Sequence, residues 1–233
     1  NPVVGVPVTQ DDHLTEYKKV VSMVGPLRLD VRSTTPLRDE IDALIIDDLV
    51  TQKHRHLNYQ QTAANGLSND GYGTLTSTAA PTDTDRDGMP DYWEKAVGLD
   101  SATDDHNGRV PDCVFAYVPA NSGYTWLEDY LQFLAIPHGV VAKRTASDGG
   151  AGDTHMDVDM ARFTSGLKAG ATFTIKTAVN GTVTILPDGH TARFVPTMNV
   201  LGRAGFSFAG TDSDKSTISL DVGVLIAETL PPS

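Results

Sequence analysis

Cysteine is almost missing from this chain. Cys113 is the only one, so no disulfide can form within it. Its plain reading is a small packing side chain, because no local signature pairs it with the histidine that a nucleophile needs. Basic residues are scarce: 18 Lys and Arg stand against 30 Asp and Glu, for a net charge of −12. Such a chain cannot neutralise a run of phosphates, which excludes nucleic acid as a partner. No apolar run approaches the roughly 18 residues of a membrane span, so no membrane insertion is expected. There is no collagen period and no sustained heptad pattern. What is present is a globular composition, 39% hydrophobic over 233 residues, which is enough for one large domain or two ordinary ones. The chain begins at Asn1 without a charged n-region and apolar h-region, which reads as a processed chain or a fragment.

The acids are concentrated. Nine lie between Asp83 and Asp112 against three bases, so this window holds half the net charge. The stretch Asp83-Thr84-Asp85-Arg86-Asp87-Gly88-Met89-Pro90-Asp91-Tyr92-Trp93-Glu94 fits the twelve-residue calcium loop D-x-D-x-D-G-x5-E. Calcium is a hard cation that takes six to eight oxygens. Asp83, Asp85 and Asp87 would offer carboxylates, Met89 its backbone carbonyl, Asp91 a direct or water-mediated contact, and Glu94 a bidentate closure. Gly88 permits the sharp turn. The competing reading is an acidic surface turn, in which five carboxylates would repel one another. The segment before the loop, Ala79-Ala80-Pro81-Thr82, is extended, and a short helix from Asp91 to Val97 ends at Gly98. A loop with one flanking helix favours a structural extracellular Ca2+ site over a sensor, which needs two helices to open. Asp104 and Asp105 either supplement this site or the second loop suspected below, or are solvated loop carboxylates.

A second helix follows. Thr125 and Glu128 form a capping box, Trp126, Leu127, Tyr130, Leu131 and Leu134 recur at helical spacing, and Pro137 ends it. Trp93 and Trp126 read as core packing rather than sugar platforms. Asn121-Ser122-Gly123 resembles a second calcium loop stripped of its carboxylates, with Asp129 at its last position.

Two amphipathic stripes precede the loop. One is Leu14, Tyr17, Val20, Val21 and Val24. The other is Leu37, Ile41, Leu44, Ile45 and Leu49, opened by Thr35-Pro36. Residues 52–80 are polar and aperiodic, and Lys53-His54-Arg55-His56 is either surface or a metal or polyanion site. From about residue 154 the period becomes two, with turns at Asn180-Gly181 and 187–190, which predicts six or seven strands of an antiparallel β-sandwich. Seven acids and six bases nearly cancel there, so no catalytic carboxylate cluster stands out. Asp212-Ser213-Asp214 reads as a hairpin turn, or as an ion site at a domain joint. The division expected is 1–80, 81–138, a Gly-rich linker at 139–153, and a sandwich at 154–228.

These motifs resemble a known family. Residues 84–94, followed by Gly98-Leu99-Asp100, are similar to the EF-hand-like or thrombospondin-type-3-like calcium loop behind the catalytic domain of secreted bacterial pectate lyases. Gly123-Tyr124-Thr125-Trp126-Leu127-Glu128 resembles their next element. Tyr17-Lys18-Lys19-Val20, Gly25, Leu37-Arg38-Asp39 and Asp42 are similar to the end of their parallel β-helix. Gly181-Thr182-Val183, Asp188-Gly189 and Gly205-Phe206-Ser207-Phe208 look like a cadherin-like or immunoglobulin-like module. The resemblance implies a multidomain, secreted chain that is the non-catalytic C-terminal part of a polysaccharide lyase. The parent reaction would be β-elimination on a uronate polysaccharide, with an upstream catalytic β-helix domain or chain as partner and an acidic polysaccharide as substrate. Residues 1–80 lack β-helix rungs, so no catalytic residue is carried over, and Arg38 is not the base. The alternative is a calcium-dependent carbohydrate-binding, adhesion or spacer module with no enzymatic parent.

Overall fold

The structure, a computed structural model, describes residues 10–53, 66–77, 79–111, 123–145 and 154–230. Its elements are α1 (His13–Met23), α2 (Glu40–Thr51), a 3-10 turn at Asn69–Gly71, α3 (Asp91–Val97), α4 (Trp126–Leu134), β1 (His138–Ala142), β2 (Met156–Asp159), α5 (Met160–Phe163), β3 (Thr172–Val179), β4 (Gly181–Ile185), β5 (Thr191–Pro196), β6 (Gly202–Thr211) and β7 (Thr217–Ala227). One sheet has the order β1-β7-β6-β3 and the other β2-β5-β4. The sheets share a core. Val158, Ala192 and Phe194 from one meet Phe206, Phe208, Val222 and Val224 from the other. Phe194 and Phe206 stack at 6.2 Å between ring centroids. The two-sheet β architecture expected from the alternating pattern is therefore present, with Asn180 turning β3 into β4 at a φ of 56°.

The pattern is not purely antiparallel. β1 runs parallel to β7, with Val140 opposite Leu225. Residues 139–142, expected as the start of a linker, belong to this strand. Gly139, Val140 and Val141 are buried in succession, so the run lacks the alternation that marks a half-buried strand. Leu29–Val31 lies alongside: His138 N–H donates to the Leu29 carbonyl at 2.9 Å, and Val31 N–H to the His138 carbonyl at 2.8 Å. Leu29 enters the sandwich core, and Met23, Leu27, Val31 and Leu37 pack on it. Among the described residues, 10–53 contain no β-helix rung, only the isolated bridge of Asp30 to His138.

Residues 222–227 of β7 are buried without alternation. One face looks into the sandwich. The other is covered by α3 and α4, which form a second core of Met89, Trp93, Ala96, Tyr130 and Phe133 against Val140, Leu225 and Ala227. Gly223 makes the approach possible, since a Cβ there would lie 2.7 Å from Phe133 Cδ2. The capping box of α4 is realised, with Thr125 N–H donating to Glu128 Oε2 at 2.7 Å and Glu128 N–H to Thr125 Oγ1 at 3.3 Å.

The first helix is rotated from its sequence pattern, with Val21 of the expected stripe still inward. Thr15, Lys18, Val21 and Ser22 are buried, whereas Leu14, Tyr17 and Val24 of the expected stripe are exposed. Polar contacts explain the rotation. Lys18 Nζ donates to Asp212 Oδ2 at 2.6 Å, Asp214 Oδ2 at 2.7 Å and Ser216 Oγ at 2.6 Å. Gly166 N–H donates to Ser22 Oγ at 2.9 Å. The Asp212–Asp214 segment is the β6–β7 hairpin turn, and an ammonium group stands where an ion was the other reading. The second helix begins at Glu40, not at Pro36, because the Asp39 side chain caps it by accepting from Asp42 N–H at 2.8 Å. None of its residues is buried.

Burial opposes the Lys18 charge, but its hydrogen bonds to Asp212 and Asp214 outweigh that and raise its pKa. The Lys18 hydrogen bond, with Lys168 N–H behind it, lowers Asp212 to about 2. A depressed carboxylate contributes stability that is complete above its ordinary pKa near 3.8 and is lost as pH falls toward about 2. Lys18→Met strands Asp212 in the interior, and a loss of about 3–5 kcal/mol in urea unfolding at neutral pH is expected. A loss below about 1 kcal/mol, the size of an exposed pair, would contradict this account of α1 docking.

Candidate metal centre

The loop is held by its own side chains. Asp83 accepts from Arg86 N–H at 2.7 Å and from Gly88 N–H at 3.1 Å. Asp85 accepts from Asp87 N–H at 3.2 Å, and Asp87 from Met89 N–H at 2.9 Å. Gly88 has a φ of 97°, a conformation costly for any residue with a Cβ. Met89 is fully buried in the second core and anchors the seventh loop position. The short helix follows as expected: α3 spans Asp91–Val97 and ends where Gly98 N–H meets the Glu94 carbonyl.

Five acidic side chains converge on the loop. Carboxylate oxygens of Asp83, Asp85 and Asp87 lie within 4.8 Å of one another, and so do those of Asp87, Glu94 and Asp105. Glu94 has 0% exposure, and neither of its side-chain oxygens has a hydrogen-bond partner. Asp85 Oδ2 and Asp105 Oδ1 are likewise shielded and unpartnered. Burial first, then the charges of Asp85, Asp87 and Asp105, pushes Glu94 up to about 7. Asp85 is raised by burial and by Asp87 and Asp83, and Asp105 by burial and by Asp87 and Asp85. A buried carboxylate with no donor carries a large cost unless a cation or a proton compensates it. The donor set fits a metal ion, and its all-oxygen chemistry suits a hard one.

Asp91 is placed differently from its neighbours. It accepts from Thr84 N–H at 2.9 Å, Thr84 Oγ1 at 3.0 Å and Lys95 Nζ at 3.1 Å, and so clamps the loop to the start of α3. Asp129, the last position of the suspected second loop, is buried against Arg203 at 3.4 Å. Arg203 also lies 5.3 Å from the Trp126 ring, while Trp93 is 4.8 Å from Phe133, so both tryptophans pack as expected. Cys113, His54-Arg55-His56, Asn121-Ser122 and the Gly-rich stretch 148–152 lie outside the described residues.

A third grouping joins Asp87 to Asp104 and His106, which contact each other directly. In the sequence, a ligand role for Asp104 and Asp105 is one of two open readings beside solvated loop carboxylates, because nothing in residues 99–111 repeats the loop spacing. Its sole signal is the Asp104-Asp105 pair following the α3 stop at Gly98. No protein family, curated protein or solved structure matches the chain. No described helix is long and apolar enough to cross a membrane.

The raised Glu94 pKa sets a pH dependence. Between its ordinary 4.5 and about 7, the folded metal-free protein holds a proton that the unfolded chain has lost, so metal-free stability falls as pH rises through that window. A cation needs the deprotonated carboxylate, so affinity falls by about tenfold per pH unit below about 7 and levels off above it. Calcium titrations from pH 5.5 to 8 check this, and a flat affinity across that range would contradict the placement of Glu94 in the site.

Proposed function

We propose that this chain is a non-catalytic accessory region in which one calcium ion staples the 83–94 loop and α3 onto the outer face of the β1-β7-β6-β3 sheet. The observation that carries this reading is Glu94: it is fully buried, has no hydrogen-bond donor, and faces converging aspartates. Oxygen-only ligands on a D-x-D-x-D-G-x5-E frame favour calcium over the softer metals. Among the described residues only one helix flanks the loop, and Trp93 ties that helix into a core shared with β7, so the ion holds the region in place and no opening movement is needed. An extracellular setting supplies roughly millimolar calcium, which would fill even a site of about 10⁻⁴ M.

The wider assignment rests on resemblance. The loop at 84–94 and the element at 123–131 support a parent of the secreted pectate-lyase-like kind, acting by β-elimination on a uronate polysaccharide. An upstream β-helix would be its catalytic part. The strand order supports an immunoglobulin-like module, with three strands in one sheet and β3, β6 and β7 in the other, and β1 as an edge strand added beside β7.

Calcium that binds only the native state stabilises it by RT ln(1 + [L]/Kd), about 2.7 kcal/mol at a hundredfold excess over Kd. The melting temperature should therefore rise with calcium and fall with chelator, and an Asp83→Ala, Asp87→Ala double variant should lose that response. If the variant responds as the parent chain does, the ion is elsewhere. The chain alone is expected to release no unsaturated uronide from pectate. Growth of that absorbance would overturn the non-catalytic reading, and chelator-sensitive binding to polygalacturonate would favour the carbohydrate-binding alternative.

A further inference from the structure

The twelve-residue loop does not account for all of the carboxylates that meet at Glu94. Asp105 comes from the segment between α3 and α4. A carboxylate oxygen of Asp105 lies within 4.8 Å of those of both Asp87 and Glu94. Its Oδ1 is shielded from solvent and accepts no hydrogen bond, while its backbone N–H donates to Asp87 Oδ2 at 3.3 Å. Three carboxylates brought this close, one of them on the fully buried and unpartnered Glu94, repel one another when ionised, and a shared positive centre would relieve all three at once. The adjacent Asp104 differs: it is exposed and spends its carboxylate on His106.

We infer that Asp105 is a further ligand of the same ion, so that the cation joins the loop to the segment 105–111 and through it to the start of α4. This rests on the calcium reading above and names a ligand which the loop motif does not contain. The mechanical connection is short. Asp105 and Gly108 close a turn, with Gly108 N–H donating to the Asp105 carbonyl at 2.7 Å. The Gly108 and His106 carbonyls then accept from Trp126 N–H at 3.0 Å and Leu127 N–H at 3.1 Å, the first two amides of α4. These amides have no partner within their own helix. An ion on Asp105 thus fixes the turn that completes the beginning of α4, and Trp126 and Leu127 pack on the second core from there. The second side of the site comes from this turn, in place of a second EF-hand loop.

The test uses the full chain with Asp105→Asn, Asp105→Ala and, as a control, Asp104→Asn. Melting is followed with chelator and with saturating calcium. Removing a like charge should raise the chelated melting temperature of Asp105→Asn and shrink its calcium-induced rise, with calcium affinity weakened by about tenfold or more. Asp105→Ala, which removes the oxygen entirely, should weaken it further. Asp104→Asn should behave as the parent chain does. Hydrogen exchange at the Trp126 and Leu127 amides should slow with calcium in the parent chain, and this slowing should be lost in Asp105→Ala. If Asp105→Asn lowers both melting temperatures equally, or leaves the affinity and the exchange response intact, Asp105 is not a ligand, although the calcium loop stands. If the parent chain itself shows no calcium response, the calcium reading and this inference fall together.

Discussion

Glu94 is a carboxylate placed where water cannot reach it and where no donor meets it. Its neighbour Trp93 is equally buried, and the two side chains leave the same short helix toward different surroundings. Trp93 enters an apolar core with Tyr130 and Phe133, at ring distances of 5.3 and 4.8 Å. Glu94 enters a ring of aspartates. The hydrophobic contact cannot form without carrying the charge inward with it. A cation would resolve this conflict, because it would turn the repulsion among the acids into coordination. A proton on Glu94 resolves it only in part, since the surrounding aspartates remain.

The same helix links the site to the sheets. The second core spans α3, α4, β1 and β7, and β7 also lines the sandwich core, so one strand is shared by both. Gly223 lets Phe133 sit against that strand. At the β6–β7 turn, Lys18 joins α1 to the hairpin through two carboxylates and a hydroxyl. At Lys18 an ammonium supplied by the chain stands among acids and attaches a helical segment to the sheets. Under the proposed reading, a cation drawn from solution would play the matching part at the 83–94 loop.

Features with strictly local causes were legible in the sequence. The loop spacing, the Gly98 stop, the Thr125–Glu128 capping box and the Asn180 turn each depend on residues within a few positions of one another, and each is present. Features decided by distant partners were not. The apolar stripe of α1 gives only part of the inward face: Val21 is buried, but Leu14 and Tyr17 are exposed, because Lys18 is drawn inward by residues almost two hundred positions away. β1 reads as linker, because a strand buried on both faces and paired in parallel has no period of two. Asp105 enters the site through a turn fixed by α4, and no spacing within the loop announces it.

A crystal structure of the chain grown in calcium at pH 8 tests the central claim most directly. The account predicts an ion about 2.3–2.6 Å from both Glu94 side-chain oxygens, shared with Asp83, Asp85 and Asp87. A fully buried Glu94 with no ion beside it, neutralised by a proton or by a protein donor, would contradict it.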